Sequence, residues 1–443
     1  MDTDPAGGRE PTGTALLTDH YELTMVRAAL RSGTAHRRSV FEVFARHLPN
    51  GRRYGIVAGT GRLLDALEQF RFGDSDLEFL ERARIADPPT LEFLRGYRFS
   101  GDIWGYAEGD CYFPGSPILV VEGTFAEAVI LETLALSTLN HDCAIASAAS
   151  RMVTAAHGRP LIEMGSRRTH ERAGVGAARA AYIAGFATTS NLQAGYQYGL
   201  PTSGTSAHAF SLLFDSEKQA FAAQLDALGP GTTLLVDTYD VASAIATAVE
   251  LAGPELGAIR IDSGDLAVVA RQARAQLDSL GAGKTRIVLT GDLDEFSIAA
   301  LAAEPVDGYG VGTSLVTGSG APTAALVYKM VARSDSDGSG PLRPVAKRSV
   351  GKPSRGGRKW AVRQFDEAGS AAAELVTDTE PAGGDAGRPL LQLLVRGGEI
   401  VAREPVAAAR ARHLDALGEL PAHARQLSRG YPAVPTIFRP DGD

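Results

Sequence analysis

The sequence is poor in cysteine and contains no long apolar run. Among its 443 residues only Cys111 and Cys143 are cysteines. Neither belongs to a C-x-x-C pair, so no zinc site or disulfide framework is predicted and a reducing environment is favoured. No run of about 18 apolar residues occurs, so no membrane span is predicted. The polar N-terminus, M-D-T-D-P-A-G-G-R-E-P, lacks the apolar segment of a signal peptide. We therefore expect a cytoplasmic protein.

The sequence also lacks an excess of positive charge. The net charge of −8 gives no electrostatic reason to expect nucleic acid as a partner, so an anionic substrate would need a local cluster of cations. Hydrophobic residues make up 44% of the chain and charged residues 22%, which are the proportions of a soluble globular protein. A chain of this length is expected to form two or three domains, or one barrel with additions.

What the chain does contain, from Leu161 onward, is a repeated pattern. A short apolar run is followed by polar residues and then by a helical pattern, at intervals of about 20–30 residues, the size of a βα unit. The runs lie at 161–164, 185–189, 233–236, around Arg260, at 286–289 and at 308–311. No G-x-G-x-x-G follows the first run, and polar groups follow nearly every run. The pattern therefore favours an α/β fold with an irregular, TIM-like β/α barrel over a doubly wound sheet.

The segments on either side have a different composition. Residues 1–13 are predicted to form a flexible tail, and residues 103–121 to form short antiparallel strands. The Ala- and Leu-rich stretch 125–157 predicts one or two long buried helices. After Pro322 the pattern returns to sheet-like segments, and the basic stretch 344–363 is predicted to be a solvated loop.

The stretch Ala258–Leu266, A-I-R-I-D-S-G-D-L, organises the rest of the chain. An arginine lies inside an apolar run that stops at an Asp-Ser-Gly-Asp cluster, as when a parallel strand delivers polar groups to a barrel mouth. Arg260 and Asp262 are two residues apart and share one face of the strand. This pair suits a substrate with phosphates and ribose hydroxyls. A structural ion pair next to a helix cap would explain the same residues equally well.

Three other strand ends carry groups suited to anions or sugars. The backbone and hydroxyls of Gly312-Thr313-Ser314 are suited to cradling a phosphate. Gly291-Asp292 combines close backbone approach with a carboxylate for sugar hydroxyls, although Asp292 with Glu295 also resembles a helix capping box. The adjacent cations Arg167-Arg168 suit a carboxylate or phosphate. Each run alone is also compatible with an ordinary turn, a cap or a surface position.

His208 is the histidine with the most suggestive setting. It follows Gly204-Thr205-Ser206-Ala207 at a predicted helix start. A histidine at a strand-to-helix mouth can act as a base or as a covalent nucleophile, and the helix N–H groups beside it would favour a phosphate on its ring. A purely structural role is the alternative.

Taken together, these motifs resemble those of the nicotinate phosphoribosyltransferase family from residue 18 to about residue 317. In chain order the matching pieces are T-D-H-Y-E-L-T-M (18–25), F-E-V-F (41–44) with L-P (48–49), G-S-R-R (165–168), T-S-N (189–191), G-T-S-A-H-A (204–209), V-D-T-Y-D (236–240), I-R-I-D-S-G-D-L (259–266), T-G-D-L-D (290–294) and G-V-G-T-S (310–314). Each piece is common alone, and their shared order makes the resemblance specific. It weakens after about residue 365.

The resemblance implies a particular architecture. It comprises an N-terminal α/β domain at 14–124, an irregular barrel with the active site at 125–330, and C-terminal segments at 331–443 that return to the N-terminal domain. It also implies a homodimer with active sites shared between subunits.

The implied reaction joins nicotinate to phosphoribosyl pyrophosphate in NAD salvage, giving nicotinate mononucleotide and pyrophosphate. ATP hydrolysis, a ligase-type coupling, would proceed through a phosphohistidine, and Mg²⁺ would serve the pyrophosphate.

The resemblance also assigns roles to individual residues. The catalytic residues would be His208, as the phosphohistidine, and Asp262. The nicotinate-binding residues would be Tyr21, Thr205, Arg260 and Arg167. The phosphoribosyl pyrophosphate-binding residues would be Thr313, Gly312, Gly291, Asp292 and Ser263. No metal ligand is assigned. The chemistry agrees, because nicotinate is a flat ring with a carboxylate, for which Tyr21 offers a stacking face and Arg260 a cation.

Other functions fit parts of the pattern. Phosphoribosyl transfer to nicotinamide or to quinolinate uses a similar fold, although the two carboxylates of quinolinate would require a more basic pocket. A barrel aldolase or flavin oxidoreductase would use Gly312 in a phosphate loop, but no lysine lies at a barrel strand end to form a Schiff base. A non-catalytic relative that only binds nucleotide is the third alternative.

Overall fold

The computed structural model describes residues 13–335, 340–347, 354–381 and 387–439. The helices are α1 (His20–Arg31), α2 (Thr60–Glu68), α3 (Asp74–Arg82), α4 (Pro88–Arg95), α5 (Phe125–Val129), α6 (Glu132–Ala155), α7 (Glu171–Ile183), α8 (Leu192–Tyr198), α9 (His208–Leu212), α10 (Glu217–Leu228), α11 (Val241–Ala252), α12 (Leu266–Ser279), α13 (Glu295–Ala300), α14 (Thr313–Val316) and α15 (Val406–Glu419).

The strands are β1 (Arg38–Ala45), β2 (Gly55–Ile56), β3 (Asp102–Tyr106), β4 (Cys111–Tyr112), β5 (Leu119–Thr124), β6 (Leu161–Glu163), β7 (Thr188–Thr189), β8 (Thr233–Leu235), β9 (Ala258–Ile261), β10 (Arg286–Leu289), β11 (Gly308–Val311), β12 (Leu326–Arg333), β13 (Arg343–Pro344), β14 (Trp360–Phe365), β15 (Ala371–Thr377), β16 (Arg388–Pro389), β17 (Leu391–Arg396), β18 (Glu399–Ile400) and β19 (Thr436–Arg439). Except for residue 13, the predicted tail lies outside the described residues, as do residues 348–353 of the basic stretch.

An antiparallel sheet joins strands from both ends of the chain. Its order is β13-β12-β1-β5-β3-β17-β18, so β12 and β17 flank strands that lie far earlier in the sequence. The antiparallel pairing predicted within residues 103–121 is confirmed, since β3 pairs with β5. Phe41 on β1 stacks on Tyr328 of β12 with ring centroids 4.9 Å apart, and both rings are buried in the core of this sheet. The domain boundaries at residues 124 and 330 stay predictions.

A parallel sheet of six strands carries the predicted mouth. Its order is β7-β6-β11-β10-β9-β8, and each strand falls on one of the predicted apolar runs. Ile259, Ile261 and Leu289 are fully buried, as expected for strands covered on both faces. In the described residues β7 and β8 do not pair, and at the β7 edge Thr189 bridges Thr202 instead. The mixed α/β class is confirmed. The six parallel strands do not close on themselves among the described residues, so the irregular, TIM-like barrel is not confirmed.

Part of the basic stretch 344–363 differs from the solvated loop that its composition predicted: Lys347 and Arg355 are exposed, but Lys359 and Arg363 are buried. The Lys359 ammonium is buried and donates to the Glu42 carboxylate at 2.8 Å. Arg363 is fully buried and donates to Asp110 at 2.8 Å and to Glu374 at 2.6 Å. Buried charges require such partners. Lys359 directly precedes β14, and Arg363 lies on it.

Both cysteines are buried and unpaired. Among the residues that the structure describes, no helix combines the length and apolarity needed to cross a membrane.

Asp87 ties two helices of the N-terminal region together. Its carboxylate caps α4 through the Thr90 N–H and accepts from Arg31 of α1 at 2.8 Å. The hydrogen bonds from Thr90, followed by that from Arg31, lower the pKa of Asp87 to about 2. We expect Asp87→Ala to lower the free energy of unfolding by about 1 kcal/mol at pH 7, the usual cost of a lost partly exposed cap.

The loss should depend on pH. Because the folded pKa lies below the unfolded value, the contribution of Asp87 is present above about pH 4 and disappears as the pH falls toward 2. Urea unfolding of Asp87→Ala and wild type at several pH values measures this. Glu92→Ala, which removes a carboxylate paired with Arg95 on the surface of the same helix, is the control and should change little. An equal loss at all pH values would contradict the assignment.

Candidate active site

A cavity of about 230 Å³ lies at the carboxyl ends of β6, β9, β10 and β11. Its walls are Met164, Arg167, Arg168, Arg260, Asp262, Thr290, Gly291, Asp292, Gly310, Gly312 and Thr313. Most of the residues that the sequence predicted for a substrate site therefore line one opening. Arg168, which the sequence analysis paired with Arg167 as a candidate for binding anions, also lines the cavity, as does Thr290, which was assigned no role from the sequence.

Arg260 is the most constrained side chain in the cavity. Its Nε donates to Thr290 Oγ1 at 2.9 Å, and one terminal nitrogen donates to Thr205 Oγ1 at 2.7 Å and to the Ser206 carbonyl at 3.1 Å. The other terminal nitrogen lies 3.2 Å from Asp262 Oδ1. Arg260 is only 9% exposed, so its guanidinium is held in place before any ligand arrives. It also brings Thr205, which does not line the cavity, to the cavity's edge.

Asp262 is held as a carboxylate. Burial opposes its ionisation, but the hydrogen bond from Thr290 and the charge of Arg260 outweigh burial and lower the pKa of Asp262. The ion pair with Arg260, one of the two interpretations of this strand end, therefore exists. Because both partners also face the cavity, the pair does not exclude a role in binding.

His208 is the first residue of α9, lies against the residues that follow β8 and is partly exposed. Its Nδ1 is 3.2 Å from Thr238 Oγ1, and its Nε2 is 4.0 Å from Asp237 Oδ1. Through its other oxygen, Asp237 accepts from the Asp262 N–H at 2.9 Å and from the Ser263 hydroxyl at 2.6 Å. The imidazole is thus linked to the cavity wall by one buried carboxylate.

Sequence reasoning did not assign Asp237 to the site. The available signal was its position directly after a strand in V-D-T-Y-D. Its Oδ1 is buried and has no hydrogen-bond partner among the described residues. A buried polar atom without a partner is energetically costly and often indicates that a ligand, ion or water binds there.

The capping-box interpretation of Asp292 with Glu295 is wrong. Helix α13 is capped by Asp294, which accepts from the backbone N–H groups of Phe296 and Ser297. Glu295 instead pairs with Arg151 at 3.0 Å. Asp292 is consequently available to the cavity that it lines.

Gly291 sets the backbone beside Asp292. Its φ of +127° is one that residues with a side chain rarely adopt, and a Cβ there would lie 3.1 Å from the Asp262 carbonyl oxygen. The strand end therefore needs glycine at this position.

Tyr21 lies elsewhere in the subunit. It belongs to α1, is 46% exposed, and its hydroxyl bonds to Glu132. Burial of the hydroxyl and the neighbouring carboxylates raise the pKa of Tyr21 well above its ordinary value. Within the described residues of one chain, Tyr21 is not a wall of the cavity.

In the part of the chain that the structure describes, no group of three or more His, Cys, Asp or Glu side chains is arranged to hold a metal ion.

Comparisons with known proteins agree on one family. The family model described as the nicotinate phosphoribosyltransferase N-terminal domain matches residues 16–140. The chain is 61% identical to nicotinate phosphoribosyltransferase pncB1 of Mycobacterium tuberculosis, covering 98% of this chain and 95% of the relative. It is 36% identical to nicotinate phosphoribosyltransferase of Bacillus subtilis, over 72% of this chain and 66% of the relative.

Solved structures share the fold. Human nicotinic acid phosphoribosyltransferase superposes with a TM-score of 0.80 at 27% identity, covering 96% of this chain and 97% of the human chain. Nicotinate-nucleotide pyrophosphorylase from Pyrococcus furiosus, at 23% identity, superposes with a TM-score of 0.75 over 95% of this chain and 99% of that chain, which shows a shared fold alone.

Proposed function

This chain belongs to the nicotinate phosphoribosyltransferase family, and from that premise we propose that it joins nicotinate to 5-phosphoribosyl 1-pyrophosphate. The products are nicotinate mononucleotide and pyrophosphate, and the reaction serves NAD salvage. The observation that carries the proposal is 61% identity to a nicotinate phosphoribosyltransferase over 98% of the chain. The cavity at the strand ends supplies groups suited to this chemistry.

Arg260 is the proposed reader of the nicotinate carboxylate. A preset guanidinium attracts a carboxylate through its charge and can donate a charge-assisted hydrogen bond to it, and the neutral amide of nicotinamide gains no such charge interaction. Thr205, bonded to Arg260 at 2.7 Å, and Arg167 complete the proposed polar contacts. Tyr21 offers the stacking face.

The phosphoribosyl group is proposed to lie along the β10 and β11 ends. The backbone at Gly312 and Thr313 opens α14 and presents N–H groups to a phosphate. Gly291 and Asp292 would contact the ribose hydroxyls. Ser263, tied to Asp237 at 2.6 Å, extends this wall toward His208.

His208 is proposed to couple ATP hydrolysis to the transfer. An imidazole nitrogen attacks the γ-phosphorus of ATP, the bond from that phosphorus to the bridging oxygen breaks, and ADP leaves with the electron pair. Water later cleaves the phosphorus–nitrogen bond and releases phosphate. Asp237, 4.0 Å from Nε2, stabilises positive charge on the ring during this exchange.

Mg²⁺ fits the carboxylates at this mouth. It prefers oxygen ligands and is usually held by one or two carboxylates together with substrate phosphates, so a complete protein cage is not required. The residues that would hold it are Asp262, which is held ionised, and Asp237, whose Oδ1 accepts no hydrogen bond among the described residues. When bound, the ion would offset the charge of the departing pyrophosphate.

A homodimer with shared active sites is proposed on the position of Tyr21. A stacking residue outside its own subunit's cavity can serve the cavity of a partner. Large apolar side chains are exposed on α8 and in α9 and the residue after it, and would be covered by an interface. They are Leu192 (76% exposed), Tyr196 (89%), Leu212 (62%) and Leu213 (75%).

A product assay tests the proposed function. The purified protein is incubated with phosphoribosyl pyrophosphate and either nicotinate, nicotinamide or quinolinate, with and without ATP. We expect mononucleotide from nicotinate, with ATP raising the yield and being converted to ADP. Preferential product from nicotinamide or quinolinate, or no product from any pyridine, would contradict the proposal.

A further inference from the structure

The turn that carries Arg167 and Arg168 into the cavity is held by side chains whose role is not yet assigned. This turn, Ser166–Arg168, is a single 3₁₀ turn between β6 and α7. It packs close to the loop after β11, since a Cβ at Gly165 would lie 3.1 Å from the Gly312 carbonyl oxygen. Its position therefore determines how the two arginines face the proposed phosphate loop.

Glu163 supports the turn from below. It is the last residue of β6, lies between Thr189 of β7 and Val311 of β11 in the sheet, and is fully buried. Its carboxylate accepts from the Gly165 N–H at 2.5 Å and from the Thr189 hydroxyl. Among the described residues no cation pairs with it. A negative charge beneath a site for anions would weaken anion binding. The presence of Glu163 there therefore needs another explanation, and its hydrogen bonds to the turn provide one.

Asn191 holds the turn from the side. Its Nδ2 donates to Ser166 Oγ at 3.0 Å, and its Oδ1 accepts from the Ala194 N–H at 2.8 Å, which caps α8. Its own N–H donates to Thr189 Oγ1 at 2.9 Å. Thr189 therefore connects Glu163 to Asn191.

We propose that Glu163, Thr189 and Asn191 form a bracket that positions the Ser166–Arg168 turn, and so sets the affinity of the cavity for nicotinate through Arg167. The three side chains are positioning residues, because they would act on the substrate only through the turn that carries the arginines. The inference rests on the proposed function and deepens it.

The bracket acts through hydrogen bonds and not through charge. Burial raises the pKa of Glu163, which disfavours the charged form. An amide at this position keeps an oxygen for the Gly165 N–H, so it should preserve the turn. Displacement of a substrate-holding group by about 1 Å can cost up to about 100-fold in rate, so loss of the bracket should be visible in kinetics.

Thr189→Val is the first test. It removes the hydroxyl that joins the two halves of the bracket and keeps the shape of the side chain. We expect the KM for nicotinate to rise about tenfold while kcat stays within about twofold, since ground-state placement is what changes. Thr285→Val is the matched control, because Thr285 is equally buried and its hydroxyl has no hydrogen-bond partner among the described residues. Its KM should be unchanged.

Rescue at Glu163 is the second test. Glu163→Gln should keep a KM near that of wild type, whereas Glu163→Leu should raise it as Thr189→Val does. If Glu163→Leu does not fold, the comparison of Thr189→Val with Thr285→Val still decides. An unchanged KM in Thr189→Val, or an equal rise in Thr285→Val, would overturn the bracket.

A double-mutant cycle with Arg167→Ala shows whether the bracket affects the KM for nicotinate through Arg167. If the bracket acts through Arg167, adding Thr189→Val to Arg167→Ala should raise KM little further, because interacting residues are not additive. Full additivity would overturn the inference, as would a wild-type KM in Arg167→Ala alone. Failure of the proposed function looks different, since wild-type protein would then form no nicotinate mononucleotide.

Discussion

Replacing His208 with alanine is expected to abolish the coupling of ATP hydrolysis to nicotinate mononucleotide formation, while slow, ATP-independent synthesis persists. The variant lacks the nitrogen that would accept the γ-phosphoryl group, and loss of a covalent nucleophile removes its whole contribution, on the order of 100-fold or more. Arg260 and the loop at Gly312 do not depend on His208 for their contacts, so substrate binding should survive. The measurement is ADP formed per mononucleotide made, together with transfer of labelled γ-phosphate to the protein.

His170→Ala is the matched control for this variant. His170 also follows a parallel strand, but it is exposed and caps α7, accepting from the Arg172 N–H at 3.3 Å. It should retain both coupling and labelling. Coupling that survives in His208→Ala, or disappears in His170→Ala instead, would remove the role proposed for His208.

Asp237→Asn tests whether the carboxylate that faces His208 contributes to the same coupling mechanism. The amide keeps an oxygen for the Asp262 N–H and the Ser263 hydroxyl but loses the charge facing the imidazole. Coupling should fall by about tenfold, the effect of losing one stabilising charge near a reacting ring. A larger fall in nicotinate affinity than in coupling would instead assign Asp237 to the cavity wall alone.

The cavity was largely predictable because most of its walls come from short motifs, each of which follows a strand in the sequence. A parallel strand is a short apolar run, and the polar residue directly after it must lie at the common edge. That rule is sufficient to bring Arg167, Asp262, Asp292 and Thr313 together without knowing any contact. It does not show whether β7 and β8 meet, since the path of the chain between them depends on packing. The expected irregular, TIM-like barrel is therefore not confirmed by the order of the six strands.

The sequence did not reveal which residues far apart along the chain pair with each other. The buried Lys359 pairs with the carboxylate of Glu42, and the buried Arg363 pairs with those of Asp110 and Glu374. A composition of basic residues cannot reveal such partners. Asp237 follows β8, so the strand-end rule could have placed it at this edge. What the sequence did not reveal is that its Oδ1 has no hydrogen-bond partner among the described residues. The pairing of β12 and β17 with the N-terminal strands is equally non-local.

Arg260→Gln is expected to lower kcat/KM for nicotinate by at least about 100-fold, and for nicotinamide by only about tenfold. A hydrogen bond to a charged group contributes about 1.5–3 kcal/mol, which corresponds to roughly 10- to 150-fold. That contribution is specific to the nicotinate carboxylate. The smaller, shared loss arises because Arg260 also holds Thr205 and pairs with Asp262, and both contacts weaken whichever pyridine is present.

Steady-state kinetics with each pyridine measures the difference, and Arg159→Gln supplies the control. Arg159 precedes β6 at the opposite end of the sheet, where it donates to the Ala302 carbonyl at 2.9 Å, so its loss removes an arginine from the same sheet without touching the cavity. It should alter neither specificity constant by more than about twofold. An equal loss for both pyridines in Arg260→Gln would mean that this guanidinium organises the strand end and does not read the carboxylate. Discrimination would then have to come from Arg167 or Arg168, the remaining cations of the cavity.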